Sequence, residues 1–449
     1  MNKKTFYLVS LGCAKNTVDS ESMASLLQED GYTPVEKASQ AGVLIVNTCG
    51  FIGPAREESY AVLNELARKK HKGQVLIAAG CLTERYRQQV TERVRGIDGI
   101  LGTRRWMDIV GVVQELREQK PHPVTLYHLP DAPTVGKDER GVLRAAVQGA
   151  SAYLKIADGC RRPCAFCAIP LIKGTAVSRP LETIVAEARA LNEMGVLEIN
   201  LIAQDTTDYG HDLGMKDGLA QLLEALIAAV PQLPWIRILY AYPGYVTDRL
   251  IEVMATHPQV LPYLDMPLQH ANRATLLRMR RPANMEWVHN TLAKMRRAIP
   301  NLALRTTFIV GYPGETEEEF QTLLDFVQEI KFDHFGAFTF SFEPNTASEP
   351  LGDPISQQVK EERLERLMLL QQDISLARNQ SFVGKTLDVL VEGYDNQVAI
   401  GRSYRDAPEI DGLVLIEGEA PIGQIVPVQI TDAMAHDLVG RLAMPQPAR

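Results

Sequence analysis

The sequence is poor in cysteine: six in 449 residues, at positions 13, 49, 81, 160, 164 and 167, with none in the last 282. So thin a scatter excludes the disulfide framework of a small secreted domain and points to a reducing, cytosolic compartment where thiols can ligate metal. Long hydrophobic runs are lacking too. The nearest, at 222–230, is interrupted by Glu224 and ended by Pro231, far short of the 18 or more apolar residues that span a bilayer. Lys3 and Lys4 precede an apolar stretch at 6–11 that is shorter than a signal-peptide core and has no small-residue cleavage pattern, so it reads as a buried strand. Positive charge is in deficit, the net charge being -8, which argues against a chain wrapped in nucleic acid. What remains is ordinary for a soluble globular protein, 45% hydrophobic and 23% charged. At roughly 150 residues per domain, the length suggests about three domains.

The fold class expected is α/β, in three parts: residues 4–116, 146–380 and 381–449. In the first, β-rich runs at 6–11, 43–46 and 75–79 alternate with amphipathic helical stretches, the pattern of an open parallel sheet. Each run is followed within a few residues by a cysteine: Cys13, Cys49 and Cys81. Ligands bind at the carboxyl edge of such sheets, so three cysteines 36 and 32 residues apart can converge there. A polar, proline-containing stretch at 122–141 reads as a linker. Six strand signals follow, at 153–156, 198–203, 235–240, 263–268, 305–310 and 336–340, with helices such as 181–194, 219–229, 285–298 and 317–330 between them. Six βα units suggest a partial (β/α)6 barrel with its chemistry at the C-terminal face, crossed by a charged helix at 356–378. Short strands at 386–392, 397–400, 413–416 and 424–430, punctuated by Gly, Asp and Pro, predict a small antiparallel β-barrel. That last part holds five basic residues (Lys385, Arg402, Arg405, Arg441, Arg449) and ten acidic ones, a net charge of -5.

Cys160, Cys164 and Cys167 form C-x3-C-x2-C just after the first barrel strand, in a loop with Gly159 and Pro163. Three thiolates this close can ligate three irons of a cubane cluster and leave the fourth open. A structural zinc site is the alternative, but it wants four ligands in pairs, and no fourth Cys or His stands nearby in the sequence. Cys13, Cys49 and Cys81 taken alone are equally compatible with packing. Their placement at three successive strand ends, in a chain with another three-cysteine group, suggests a second cluster with one open iron.

The C-x3-C-x2-C spacing resembles the signature of radical S-adenosylmethionine enzymes. The runs Leu11-Gly12-Cys13-Ala14-Lys15-Asn16, Val18-Asp19-Ser20-Glu21, Asn47-Thr48-Cys49-Gly50-Phe51-Ile52 and Gly80-Cys81-Leu82 resemble the N-terminal domain of methylthiotransferases. Gln204-Asp205-Thr206 with Tyr209-Gly210, Pro267-Leu268-Gln269-His270-Ala271, and the run from Phe308 to Thr316 resemble their radical domain, and the closing barrel resembles a TRAM domain. The resemblance covers essentially the whole chain in family order. It implies two 4Fe-4S clusters, S-adenosyl-L-methionine as cofactor, and an electron donor such as flavodoxin or ferredoxin. It also implies two roles for S-adenosylmethionine: donation of a methyl group to sulfur at the N-terminal cluster, and cleavage to a deoxyadenosyl radical at the Cys160 cluster. An unactivated C-H bond has no useful acidity, so a radical is needed where a general base fails.

Within the family, members modify either tRNA or an aspartate of small-subunit ribosomal protein twelve. The Leu-Gly-Cys-Ala-Lys-Asn start is similar to the ribosomal-protein branch, where tRNA enzymes more often show Gln-Met-Asn after the cysteine; the run from Gly401 to Gly412 is similar to that branch too. An acidic closing barrel repels phosphate and attracts a basic protein, so a basic ribosomal protein is the expected partner rather than tRNA. A tRNA methylthiotransferase and a non-enzymatic two-cluster electron carrier are the alternatives.

Other site candidates are Phe166, placed to meet adenine or simply to pack its loop, and Gln204 and Asp205 after the second barrel strand, placed to contact methionine or ribose groups. Arg305 starts the fifth strand; after it, Gly311 and Gly314 lack side chains and admit adenine or ribose. Glu315 alternatively caps the helix that opens on Thr316, and His270 either lines the cavity or is a hydrogen-bonded core histidine.

Overall fold

The computed structural model describes residues 4–118, 125–130 and 140–443. Six parallel strands form the first sheet: β1 (Thr5–Ser10), β2 (Thr33–Pro34), β3 (Val43–Thr48), β4 (Val75–Gly80), β5 (Gly99–Gly102) and β6 (Leu126–His128), in the order β2-β1-β3-β4-β5-β6. β3 and β4 are buried along their whole length, as their continuous apolar runs require when helices cover both faces. The β6 strand lies inside the stretch read as a linker, so the sheet extends past residue 116; the flanking residues 122–124 and 131–139 of that stretch lie outside the described residues.

The second sheet has seven strands. β7 (Ala145–Gln148) pairs antiparallel with β8 (Ser151–Lys155), an edge hairpin the sequence did not announce. A short ribbon of β9 (Ala157–Asp158) and β10 (Val177–Ser178) brackets the C-x3-C-x2-C loop. The remaining strands, β11 (Glu198–Ile202), β12 (Trp235–Ile238), β13 (Val260–Asp265), β14 (Ala303–Val310) and β15 (His334–Thr339), run parallel to β8 in the order β15-β14-β13-β12-β11-β8-β7. This open six-strand parallel arc is the expected partial barrel. Along β14 the burial alternates: Leu304, Thr306, Phe308 and Val310 are buried while Arg305, Thr307 and Ile309 are partly open. Period two therefore turns the second set toward the barrel's interior. The helix Gln357–Gln380 crosses β15 and buries Leu367, Gln371 and Ile374.

The last five strands, β16 (Thr386–Asp395), β17 (Val398–Ser403), β18 (Val414–Glu417), β19 (Ile425–Ala433) and β20 (Leu438–Leu442), close into a barrel ordered β16-β17-β18-β20-β19. β20 is absent from the sequence reading, and its pairing with β18 is parallel, the one such contact in an otherwise antiparallel barrel. Arg402 and Arg405 do not face solvent as their charge suggests. Both are buried: Arg402 pairs with Glu198 of β11 and with Glu392, and Arg405 with Asp333 and Asn379. Arg237 completes the buried group, donating to Glu198 and to the Tyr404 carbonyl. The closing barrel is thus bolted to the underside of the central one.

Candidate active site

The carboxyl ends of β1, β3 and β4 lie side by side, with Ser10 opposite Asn47 and Thr48 opposite Gly80. Cys13 opens the helix Ala14–Glu29, Cys49 follows β3, and Cys81 opens the helix Cys81–Tyr86. Glycine permits their approach. A Cβ on Gly50 would stand 2.6 Å from the Leu82 backbone and 2.8 Å from the Cys81 carbonyl carbon, and one on Gly12 would stand 2.9 Å from the Cys49 Cβ. Cys49 and Cys81 each feel the charge of Cys13, and Cys81 that of Cys49. The loops are locked by residues whose role the sequence reading missed. Asn16 Nδ2 donates to the carbonyls of Leu11 (2.6 Å) and Asn47 (3.1 Å), Asn47 Nδ2 donates back to the Asn16 carbonyl (2.9 Å), and Ser59 Oγ both accepts from the Cys49 N-H and donates to its carbonyl.

Beneath this group lies a buried ionic hub. Asp19 takes Lys155 at 2.7 Å and Lys173 at 2.8 Å and also pairs with Arg144; Asp158 faces the same cations. Burial opposes ionisation of Asp19, but the three cations outweigh it and hold its carboxyl far below the usual range. Because Asp19 belongs to the first helix and its partners to the central barrel, the hub sets the spacing of the two parts.

Cys160, Cys164 and Cys167 follow β9. Each sulfur has a donor: the Arg162 N-H at 3.4 Å from Cys160 Sγ, Arg281 Nη1 at 3.5 Å from Cys164 Sγ, and the Ile169 N-H at 3.5 Å from Cys167 Sγ. Arg281 also donates to the Pro267 carbonyl and stacks on Tyr242, whose hydroxyl is 3.6 Å from Cys164 Sγ. Burial pushes the thiols of Cys81 and Cys167 up to about 12 and that of Cys160 up to about 11, and raises Cys49. Free thiols at these positions are therefore poor anions. Among the described residues, no three His, Cys, Asp or Glu side chains close around a single metal ion. Two groups of three neighbouring thiols, one group with donors aimed at sulfur, fit instead a cluster whose ligands are spread over three irons.

A mostly apolar cavity of about 480 Å³ is walled by sequence neighbours of both groups. Phe51 and Ile52, just after Cys49, form one wall, and Phe166, between Cys164 and Cys167, another; Gln269, Thr307 and Ile309 come from the barrel. Glu343 clasps the two sides, accepting from the Gly53 N-H at 3.0 Å, from Arg85 at 2.7 Å and from Arg56. A second cavity of the same volume, at Gln148, Glu392 and Glu409, lies between the central and closing barrels.

The remaining sequence candidates divide. Phe166 lines the cavity. Asp205 is buried and tied to Arg162 at 2.6 Å and to Thr207; burial raises its carboxyl despite Arg162. Gln204 keeps a buried, unpartnered Oε1. Arg305 departs from its expected cofactor contact: its guanidinium bonds Asp265 at 3.0 Å and Asp411 of the closing barrel at 3.1 Å. Gly311 departs likewise, since the space a side chain would take is filled by Lys360, not left open to adenine. Gly314 faces Arg278. Glu315 does not cap the helix; Thr316 and Glu319 do so as a reciprocal capping box, while Glu315 accepts from the N-H groups of Gly311 and Tyr312. His270 is fully buried, its Nδ1 accepting from the Asn272 N-H at 2.9 Å and its Nε2 standing 3.8 Å from Glu315.

Comparison with known proteins supplies the family. Residues 5–102 match uncharacterized protein family UPF0004, 154–327 the radical SAM superfamily, and 383–443 the TRAM domain. A ribosomal protein uS12 methylthiotransferase RimO from Chloroflexus aurantiacus is 48% identical over 97% of this chain and 99% of its own. The chain belongs to the RimO family of methylthiotransferases. RimO proteins from Roseiflexus sp. and Myxococcus xanthus are 46% and 43% identical, covering 97% and 98% of this chain and 97% and 92% of theirs. Among solved structures, the radical S-adenosylmethionine methyltransferase TsrM from Kitasatospora setae, with cobalamin and a [4Fe-4S] cluster bound, aligns with a TM-score of 0.58 at 14% identity over 77% of this chain and 74% of its own. That likeness is one of fold alone.

Proposed function

We propose that this protein transfers a methylthio group to the β-carbon of an aspartate in ribosomal protein uS12, the protein for which its relatives are named. One observation carries the reading: residues flanking two three-cysteine groups wall a single cavity in a chain nearly half identical, end to end, to uS12 methylthiotransferases. Cys160, Cys164 and Cys167 would hold one 4Fe-4S cluster, and Cys13, Cys49 and Cys81 the other. When bound, these groups supply the electron that cleaves S-adenosyl-L-methionine and the sulfur that is transferred.

The chain's own residues do the positioning. Arg281 and two backbone N-H groups donate to the sulfurs of Cys160, Cys164 and Cys167, favouring their anionic form against burial. Phe51, Ile52 and Phe166 make the wall of the cavity beside the groups apolar, which would keep water from a carbon radical formed there. Glu343 and the Asp19 hub fix the distance across it. Flavodoxin or ferredoxin is the class of reductant we assign. The exposed charge of the closing barrel supports a basic partner: Asp388, Asp395, Glu409, Glu417, Glu419 and Asp432 face solvent against Lys385 and Arg441. Asp406 and Asp411 are turned inward to Ser403 and Arg305, and Arg449 lies outside the described residues.

Iron and acid-labile sulfide near eight of each per chain are expected, about four per cluster. Incubation with S-adenosylmethionine, a reductant and either uS12 or unmodified tRNA should give a methylthio mass gain on uS12. A gain on tRNA alone would overturn the assignment in favour of a tRNA enzyme.

A further inference from the structure

Lys15 stands apart from the other cations where the first sheet meets the central barrel. It lies two residues after Cys13, in the first turn of the helix Ala14–Glu29, and reaches across to the barrel, where its Nζ sits 3.2 Å from the centroid of the Tyr240 ring. Lys155 and Lys173 nearby are buried in ion pairs with Asp19. Lys15 is only half-buried and makes no carboxylate ion pair among the described residues.

Its platform is held in an uncommon conformation. Tyr240, just past β12, has φ +63°, a left-handed geometry that is an outlier for so bulky a residue. The barrel over-determines it: the Tyr240 N-H donates to Asp265 Oδ2 at 3.1 Å, and the Tyr240 carbonyl accepts from the Thr206 N-H at 3.1 Å. Strain of this kind persists where the surrounding structure enforces it, and it clusters at ligand clamps. Here it presents an aromatic face that steers a cation without neutralising it.

We infer that Lys15 receives the side-chain carboxylate of the substrate aspartate, and so reads acid from amide. The inference rests on the function proposed above. The carboxyl carbon is one C-C bond, about 1.5 Å, from the β-carbon that reacts, so holding the carboxylate places that carbon beside Cys13 at the barrel mouth. A lysine ammonium has donors only, which suits a carboxylate and leaves the amide NH2 of an asparagine unmatched. The methionyl carboxylate of S-adenosylmethionine is the other possible occupant, and the test separates the two.

Binding of a basic peptide spanning the modified aspartate of uS12 is compared with that of the same peptide carrying asparagine, using wild type, Lys15→Met and Lys15→Arg, with thermal melting as a control on folding. Wild type should prefer the aspartate peptide by about tenfold or more. Lys15→Met should bind the two alike, and Lys15→Arg should keep most of the preference. Separately measured affinity for S-adenosylmethionine should not change in Lys15→Met. A preference that survives in Lys15→Met, or a loss confined to S-adenosylmethionine binding, overturns the assignment. A wild type that binds neither peptide and modifies tRNA overturns the proposed function itself, whereas a wild type that modifies uS12 without discriminating aspartate from asparagine overturns the lysine's role alone.

Discussion

Six thiols carry the proposed chemistry, and burial makes at least four of them reluctant anions. Cys81 and Cys167, near 12, and Cys160, near 11, must each release a proton when iron binds, so cluster loading should rise as pH climbs toward these values, as iron analysis after anaerobic reconstitution would record. In the iron-free chain the linkage has the opposite consequence. A folded thiol pKa raised above its unfolded value contributes stability that is complete below about 9 and lost as pH rises toward 12, so the apoprotein should melt progressively lower above pH 9. Replacing Cys160, Cys164 or Cys167 by Ala should abolish deoxyadenosine formation, while replacing Cys13, Cys49 or Cys81 should stop sulfur insertion and leave that cleavage measurable. Arg281→Met removes the donor to Cys164 Sγ and should shift the midpoint potential of the radical cluster to more negative values in a redox titration. The cysteines were legible from spacing. Arg281, 117 residues from Cys164, was not, because their pairing exists only through the folding of the barrel.

At the scale of elements, strands and helices followed their apolar periods closely. Helices Met285–Ala298 and Glu317–Ile330 fall where the pattern puts them, the latter opened by its capping box. Thr316→Ala should cost about 1 kcal/mol in denaturant unfolding. Gly311→Ala should cost more, since it places a methyl at φ +70° against the stem of Lys360. Among the strands that escaped sequence reading, β5, β6 and β20 are short and owe their state to an edge offered by another part of the chain, while β7 is held by its tight hairpin with β8. Local sequence carries little signal for such pairing.

Across the whole molecule, buried ion networks join the parts. Burial works against ionisation of Glu198, but Arg237 and Arg402 outweigh it and hold its carboxyl down to about 2. The sign follows: this contribution is complete above the unfolded value near 4.5 and is lost as pH falls through about 2. Glu198→Gln should therefore lower stability at neutral pH and flatten the acid limb of the unfolding curve. Asp19→Asn leaves Lys155, Lys173 and Arg144 facing Asp158 alone, and a loss of about 3–5 kcal/mol is expected in calorimetry. The acidic exterior of the closing barrel predicts that uS12 binds more weakly as salt is raised.

By itself the sequence determined the two cysteine groups, the order of the three parts and the acidity of the last, because ligand spacing, hydrophobic period and net charge are local or additive properties. Only the tertiary structure decided that neighbours of both groups wall one cavity and that Arg402 and Arg405 are buried bolts between barrels. It also decided that Arg305 and Gly311 serve the protein's own packing, and that Lys15 crosses the cleft onto the Tyr240 ring without a carboxylate ion pair among the described residues. Those facts are contacts between residues tens to hundreds of positions apart, and burial decides whether a charge is a surface, a pair or a site.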